Sequence, residues 1–315
     1  MPISVTNLTK TFGDVKAVDG ISFTIPSGQV LGFLGPNGAG KTTTMRMITS
    51  YLPPSDGTVE IEGLNVSDNE IEVRKLIGYL PEQNPLYSDM NVIDYLAYAG
   101  SLQGIPKKKI GSRIREMVGV CGLSEVKHMD IGQLSKGFRQ RVGLAQAMIH
   151  DPRILILDEP TSGLDPNQIV EIRTLIKALG KEKTLILSTH ILPEVQATCN
   201  RVLIINRGKL VADGSPAELQ GSFQGKERLV VEVKSTDEIS LADLQAVLGA
   251  LPSVHGVSPA PNREGVLSVI VETEKGHDVR EQVYRTCVQK GWVLMELHRE
   301  QTSLEDVFRQ LTTES

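Results

Sequence analysis

The rhythm of apolar and polar positions changes along the chain, and each change marks a different kind of element. Alternation at a period of two runs through Ile3-Ser4-Val5-Thr6 and again through Ile21-Ser22-Phe23-Thr24-Ile25, with a turn at Phe12-Gly13-Asp14 between them. Such alternation predicts antiparallel strands with one buried face. Thr58-Val59-Glu60-Ile61-Glu62-Gly63, which follows the turn cluster Pro53 to Gly57, predicts another. Elsewhere the apolar runs are unbroken, as in Val30-Leu31-Gly32-Phe33-Leu34, Ile154-Leu155-Ile156-Leu157 and Leu185-Ile186-Leu187. Runs of this kind fit strands covered on both faces, the pattern of a parallel sheet between helices. Leu76 to Gln83 predicts a further short strand that stops at Pro81 and delivers Gln83 to a loop. Val202-Leu203-Ile204-Ile205-Asn206 and Leu210 to Gly214 form a hairpin around Arg207-Gly208.

From about 84 to 150 the period lengthens to that of a helix. Val92, Leu96 and Ala99 share one face, and Ile114, Met117, Val118 and Cys121 share another, which predicts a helical insertion in the α/β body. Residues 1–220 form this first domain, and 221–227 read as a linker. Residues 228–315 form a smaller domain whose order is strand (229–233), helix (240–251), strand (254–258), strand (265–272), helix (277–290), strand (292–298), the β-α-β-β-α-β pattern of a ferredoxin-like fold. Thr302-Ser303-Leu304-Glu305 matches a capping box and starts a last helix with Leu304, Val307, Phe308 and Leu311 on one face.

Charge and cysteine usage narrow the function. The formal net charge of -5 weighs against a surface built to grip nucleic acid, so no specific nucleic acid is expected as a partner. Cys121, Cys199 and Cys287 are odd in number, far apart and without a CxxC pair, which predicts reduced thiols. No unbroken apolar run approaches 18 residues and the N-terminus lacks a basic segment followed by an apolar core, so neither a membrane span nor a signal peptide is expected. Work at a membrane would need another chain to cross it.

The chemistry centres on Gly35-Pro36-Asn37-Gly38-Ala39-Gly40-Lys41-Thr42, which fits the phosphate-cradling pattern G-x-x-x-x-G-K-[ST] at every fixed position and lies between a strand and a helix that continues through Thr43. Backbone N–H groups of such a loop must turn inward, which side chains at Gly35, Gly38 and Gly40 would prevent. Lys41 would reach the β and γ phosphates and the Thr42 hydroxyl would ligate Mg²⁺. Asp158 and Glu159 end a central strand, where Asp158 is expected in the Mg²⁺ shell and Glu159 as the group that orients or deprotonates the attacking water. Two adjacent acids point to opposite faces unless the chain turns there. His190 arrives at the end of the strand that starts at Thr184, beside the other ligand groups. Leu134-Ser135-Lys136-Gly137-Phe138 opens a second helix whose N-terminus, capped by Ser135 and left open by Gly137, could receive an anion.

The phosphate loop, Gln83, Leu134 to Phe138, Asp158-Glu159, Ser162-Gly163-Leu164-Asp165 and His190 stand in the order seen in ATP-binding cassette (ABC) ATPases, and residues 1 to about 220 resemble that family throughout. The resemblance implies a P-loop NTPase core with an antiparallel β subdomain, ATP and Mg²⁺ as cofactors, and ATP hydrolysis coupled to transport. It implies stacking of Phe12 on the base, γ-phosphate contact by His190, and metal or water sensing by Gln83 at the interface to a membrane partner. It also places Asp165 at a dimer seam and Ser135 and Gly137 on the γ-phosphate held by the other subunit. One phosphate loop and one signature require a second cassette, either another copy or a related subunit. The signature departs from the family's usual Leu-Ser-Gly-Gly-Gln, and this change, like the C-terminal unit ending at Phe308, resembles ABC-2-type exporters. The implied partner is then an ABC-2-type integral membrane permease, with the ATPase on the cytoplasmic, inner face of the cell membrane. Ile77 to Leu96 is similar to the gliding-motility-associated ATP-binding subunits of Bacteroidota. The rival class is a soluble ABC ATPase acting on nucleic acid or ribosomes, which usually carries a long coiled coil or two cassettes per chain.

Overall fold

The two rhythms of the first 214 residues become two sheets. In the computed structural model, which describes residues 2–222, 227–235, 239–261, 265–274, 277–300 and 303–313, β1 (Ile3–Phe12) and β2 (Val15–Ile25) form a hairpin, and β3 (Val30–Leu34) leads through the phosphate loop to α1 (Lys41–Ile48). Then come β4 (Asp56–Ile61), β5 (Leu64–Asn65), α2 (Glu70–Leu76) and β6 (Ile77–Leu80). The helical insertion is α3 (Val92–Leu102), α4 (Lys107–Val120) and α5 (Lys136–Met148). The chain returns through β7 (Ile154–Asp158), α6 (Pro166–Leu179), β8 (Thr184–Thr189), α7 (Leu192–Thr198), β9 (Arg201–Asn206), β10 (Lys209–Gly214) and α8 (Pro216–Ser222).

The alternating strands make an antiparallel sheet in the order β2-β1-β4-β5. The continuously apolar ones make a six-stranded sheet, β10-β9-β3-β8-β7-β6, parallel except for β10 at its edge. Every residue of β3, β7 and β8 is buried, which is why these runs show no alternation. One core joins both sheets: Ile3, Val5, Leu8 and Ile25 pack with Leu31, Phe33, Met45, Ile48, Ile156 and Ile186. Each such side chain contributes about 1.5–3 kcal/mol on full burial. In the insertion, both apolar stripes read from the sequence are buried, Val92, Leu96 and Ala99 on α3 and Ile114, Met117, Val118 and Cys121 on and just after α4.

Contact density divides the chain into one unit of residues 1–217, joined by the last residues from Phe308 on, and a second unit of residues 218–307. The second contains β11 (Glu227–Lys234), α9 (Leu241–Gly249), β12 (Val254–Pro259), β13 (Val266–Thr273), α10 (Arg280–Gln289) and β14 (Leu294–Glu300). Its antiparallel sheet runs β12-β13-β11-β14, the strand order of a ferredoxin-like α+β fold. Leu229, Val231, Leu244, Leu248, Val269, Val271, Val283 and Cys287 form its core, with Trp292 packed against them.

Three details differ from the sequence reading. The helix Pro216–Ser222 covers the first two residues of the expected linker, because Pro216 is preformed for a first turn and Ala-Glu-Leu-Gln favours helix; residues 223–226 of that linker lie outside the described residues. The capping box sits one residue later than expected. Ser303 Oγ accepts from the Asp306 N–H at 3.1 Å while Asp306 Oδ2 accepts from the Ser303 N–H at 3.0 Å. Thr302 lies outside the described residues. Finally, the helix Leu304–Thr313 does not end within the smaller unit as expected, since its last turn is tied to the first: Asn206 Nδ2 donates to the carbonyls of Leu311 (3.4 Å) and Thr312 (3.5 Å).

Candidate active site

Register brings the candidate groups together. Leu34, the last residue of β3, lies opposite Thr189 at the end of β8, and Asp158 at the end of β7 lies opposite Ser188. The residues that follow these strand ends, the phosphate loop, Glu159 and His190, therefore emerge side by side at the carboxyl edge of the sheet, where α/β proteins bind ligands.

The loop is shaped by its glycines for two different reasons. A Cβ on Gly35 would stand 2.5 Å from the carbonyl oxygen of Ile205, so the loop lies too close to the neighbouring backbone for any side chain. Gly40 has φ +108° and a Cβ there would meet the Ala17 carbonyl at 2.4 Å. The Gly208 N–H donates to the Ala39 carbonyl at 3.0 Å, so the β9–β10 turn braces the loop from behind. Helix α1 begins at Lys41 with no side-chain cap, which leaves its first-turn N–H groups without a side-chain acceptor. An uncapped helix N-terminus after a glycine loop is a receptor for phosphate.

A cavity of about 340 Å³ opens beside it, lined by Ala17, Asn37, Gly38, Gly40, Lys41, Thr42, Thr43, Glu82, Glu159, Ser162 and His190. Lys41 Nζ donates to the carbonyls of Gly35 (2.8 Å) and Pro36 (3.2 Å) and stands 3.4 Å from Glu159 Oε1. Glu159 has φ +49°, a left-handed conformation rare for a residue with a side chain. This is the turn that lets the adjacent acids take different surroundings. On one side, His190 Nδ1–H donates to the Glu159 carboxylate at 2.9 Å; because a carboxylate only accepts, this bond fixes the proton on Nδ1. On the other, Asp158 is fully buried, with Ser188 Oγ donating to its Oδ1 and no hydrogen-bond partner at its Oδ2. Burial raises the Asp158 pKa, opposed by the Ser188 and Thr42 hydroxyls and reinforced by Glu82 and Glu159.

A buried carboxylate oxygen without a partner, next to a threonine hydroxyl on the cavity wall, fits a hard cation that takes oxygen ligands. Among the described residues no group of three or more His, Cys, Asp or Glu could hold a metal by itself. A Mg²⁺ bound by Thr42 and Asp158 together with substrate phosphates suits this donor set.

The other candidates stand apart from the cavity wall. Ser135 is exposed and caps α5, its Oγ accepting from the Phe138 N–H at 3.3 Å; Gly137 is buried under the Gln168 amide. Asp165 is exposed and caps α6, accepting from the Gln168 N–H at 2.9 Å. Phe12 is 49% exposed on the β1–β2 hairpin with Lys10 Nζ 5.4 Å from its ring centroid. Gln83 is exposed on the loop after β6 and does not line the cavity, whereas its neighbour Glu82 does. Ala17, Glu82 and Ser162 are wall residues that sequence reasoning did not assign. Glu82 adjoins Gln83, and Ser162 opens the run Ser162-Gly163-Leu164-Asp165; Ala17, one small residue on β2, carries no signal of its own.

The ABC transporter family profile matches residues 18–162. The uncharacterized ABC transporter ATP-binding protein YxlF of Bacillus subtilis is 34% identical over 306 residues, covering 97% of this chain and 98% of that protein. The chain belongs to the ATP-binding subunits of ABC transporters. Nod factor export ATP-binding protein I of Burkholderia lata is 31% identical, with 99% of this chain and 97% of that protein covered. Among solved structures, the dimeric post-hydrolysis cassette MJ0796 bound to ADP and Pi superposes with a TM-score of 0.63 at 23% identity, covering 68% of this chain and 98% of that one, a likeness of fold. As an ABC ATPase the protein binds ATP with Mg²⁺ and hydrolyses it.

Proposed function

We propose that the protein works as a pair of cassettes, two copies or one with a related subunit, seated on the cytoplasmic face of a membrane beneath a separately encoded ABC-2-type permease and driving export. The observation that carries this reading is the split of the site. The cradle, Glu159 and His190 wall one cavity, while Ser135, Gly137 and Asp165 lie away from it. Their absence from the cavity wall supports a role at a nucleotide held by another cassette.

In this mechanism an incoming triphosphate competes with Glu159 for Lys41. The Glu159 carboxylate, freed from the ammonium and still held by His190 Nδ1–H, accepts a proton from the attacking water. Thr42 and Asp158 would hold Mg²⁺, and the ion would supply positive charge to offset that developing on the transferred phosphoryl group. Phe12 stacks on the base, and Gln83 relays between the site and the permease.

A cleft of about 460 Å³ supports the permease reading. It is lined by Thr49, Tyr51, Arg74, Ile77, Tyr79, Gln103, Gln146, Ala147 and His150. Two of its polar atoms, Tyr79 Oη and His150 Nδ1, are buried without a hydrogen-bond partner. His150 Nε2–H donates to the Ile77 carbonyl at 3.1 Å, which leaves Nδ1 as an acceptor. Tyr87 and Tyr98, with 55% and 41% of their surface exposed, stand with Tyr95 in an edge-to-face cluster on the same insertion. Unsatisfied polar atoms beside exposed aromatic surface suit a partner helix. The Nod factor export relative supports export, and a link to gliding motility rests on the one stretch Ile77 to Leu96.

The test is co-expression with a six-helix membrane protein encoded beside it, followed by affinity purification from detergent-solubilised membranes. The permease should co-purify, and Tyr51→Glu, at an exposed residue lining the cleft, should abolish this while leaving basal ATPase intact. Recovery on nucleic acid, with no membrane chain, would contradict the proposal.

A further inference from the structure

We infer that Glu194 is a positioning residue for hydrolysis, a buried carboxylate that ties the turn carrying Glu159 to the strand end presenting His190. Glu194 lies on α7 and is 1% exposed. Its Oε1 accepts from Thr161 Oγ1 and its Oε2 accepts from Thr189 Oγ1 at 2.9 Å. Thr161 and Thr189 are themselves buried. Thr161 follows Glu159 by two positions and Thr189 directly precedes His190. One carboxylate thus spans the two segments whose side chains meet in the Glu159–His190 hydrogen bond.

Three observations favour positioning over simple stability. Among the described residues no ion pair to Glu194 is found, and a buried carboxylate satisfied only by hydroxyls is a poor stabiliser compared with an apolar side chain of similar volume. Glu159 holds a left-handed φ that its surroundings must over-determine. Its N–H donates to the Ser188 carbonyl at 3.0 Å and its carbonyl accepts from the Ser162 N–H at 3.1 Å, so Thr161 sits inside the turn that sets the Glu159 conformation. On the other strand, Thr189 Oγ1 also accepts from the Ile191 N–H at 3.1 Å, so one hydroxyl fixes the backbone on the far side of His190. The phosphate loop makes no bond to this fork, so loss of Glu194 should blur the geometry of hydrolysis without weakening the hold on phosphate.

The inference rests on the roles proposed for Glu159 and His190, and the test measures Glu159→Gln and His190→Ala beside Glu194→Ala. Glu194→Ala should lower kcat about 10- to 100-fold, the scale of a small misplacement of reacting groups, with the Kd of a fluorescent ATP analogue changed less than about twofold. Glu194→Gln, which keeps one acceptor oxygen, should recover most of the loss. Added to Glu159→Gln, Glu194→Ala should lower the residual rate no further, because the two act as a unit. Thr161→Val removes one arm of the fork at constant shape and decides the matter should Glu194→Ala fail to fold; it should reduce kcat with Kd unchanged. Equal loss of kcat and nucleotide affinity, loss of thermal stability with kcat intact, or multiplying effects in the Glu159→Gln background would each overturn the inference. A full rate in Glu159→Gln would instead remove the reading of the site itself.

Discussion

Lys41 and Glu159 are each 6% exposed and bonded to one another's surroundings, whereas Ser135 and Asp165 stand at the surface and spend their oxygens capping their own helices. The contrast extends to the helices. Helix α1 has no side-chain cap at its N-terminus, while α5 and α6 are closed by Ser135 and Asp165. The cradle is thus preorganised and waiting for an anion within one chain; the signature end is at rest and has its N-terminal bond already made. On the function proposed above, such a site binds nucleotide with one half and completes the chemistry with the other, which would make hydrolysis conditional on assembly.

The largest way to break this comparison is Glu159→Gln. It should leave ATP binding in place and cost about 10²–10⁴-fold in hydrolysis, measured by phosphate release, as expected for loss of a general base. Weakened ATP binding on the same scale would mean that Glu159 serves the cradle instead. Ser135→Arg should be next, lowering hydrolysis by about 10- to 100-fold while ATP affinity, measured by titration of dilute protein, stays unchanged. A fall in that affinity would place Ser135 in its own chain's site.

A smaller effect comes from Asp158. Its folded pKa is raised, so the charged form costs stability at neutral pH, and that cost is relieved as pH falls through the folded pKa toward the unfolded value of 3.8. Without Mg²⁺, Asp158→Asn should therefore melt at or above the wild-type temperature at pH 7, with the gap closing on acidification. Mg²⁺-dependent binding should fail on the acid side at a higher pH than an ordinary carboxylate would allow. The smallest effect is chemical silence. Burial pushes the Cys121 and Cys199 thiols up to about 12, so neither should react with maleimide in the native protein at pH 7. Rapid labelling of Cys121 would mean that the α4 end of the insertion opens.

Much of the cradle was legible because its chemistry lies in consecutive residues: Gly35 to Thr42 carry loop shape, charge and ligand in one stretch, and Asp158-Glu159 close a strand visible as an apolar run. The parts that escaped are those made by register and turns. Nothing near Glu194 in the chain suggests that Thr161 and Thr189 will meet it, since only the packing of α7 against the ends of two strands brings them together. Gln83 and Phe12 follow from the family resemblance, and both stand outside the cavity wall, which Glu82 joins instead. The last helix was legible as a helix, yet its apolar face could not tell that its residues from Phe308 on count with the first unit.

The central claim is that cradle and signature work in trans, and mixing two inactive variants tests it most directly. Lys41→Ala has a dead cradle and an intact signature, and Ser135→Arg has the reverse. Mixed in equal amounts, they should regain hydrolysis to about one quarter of the wild-type rate, since half of the random dimers would carry one intact site of two. Activity no greater than the sum of the separate variants, at concentrations where dimers form, would contradict the account.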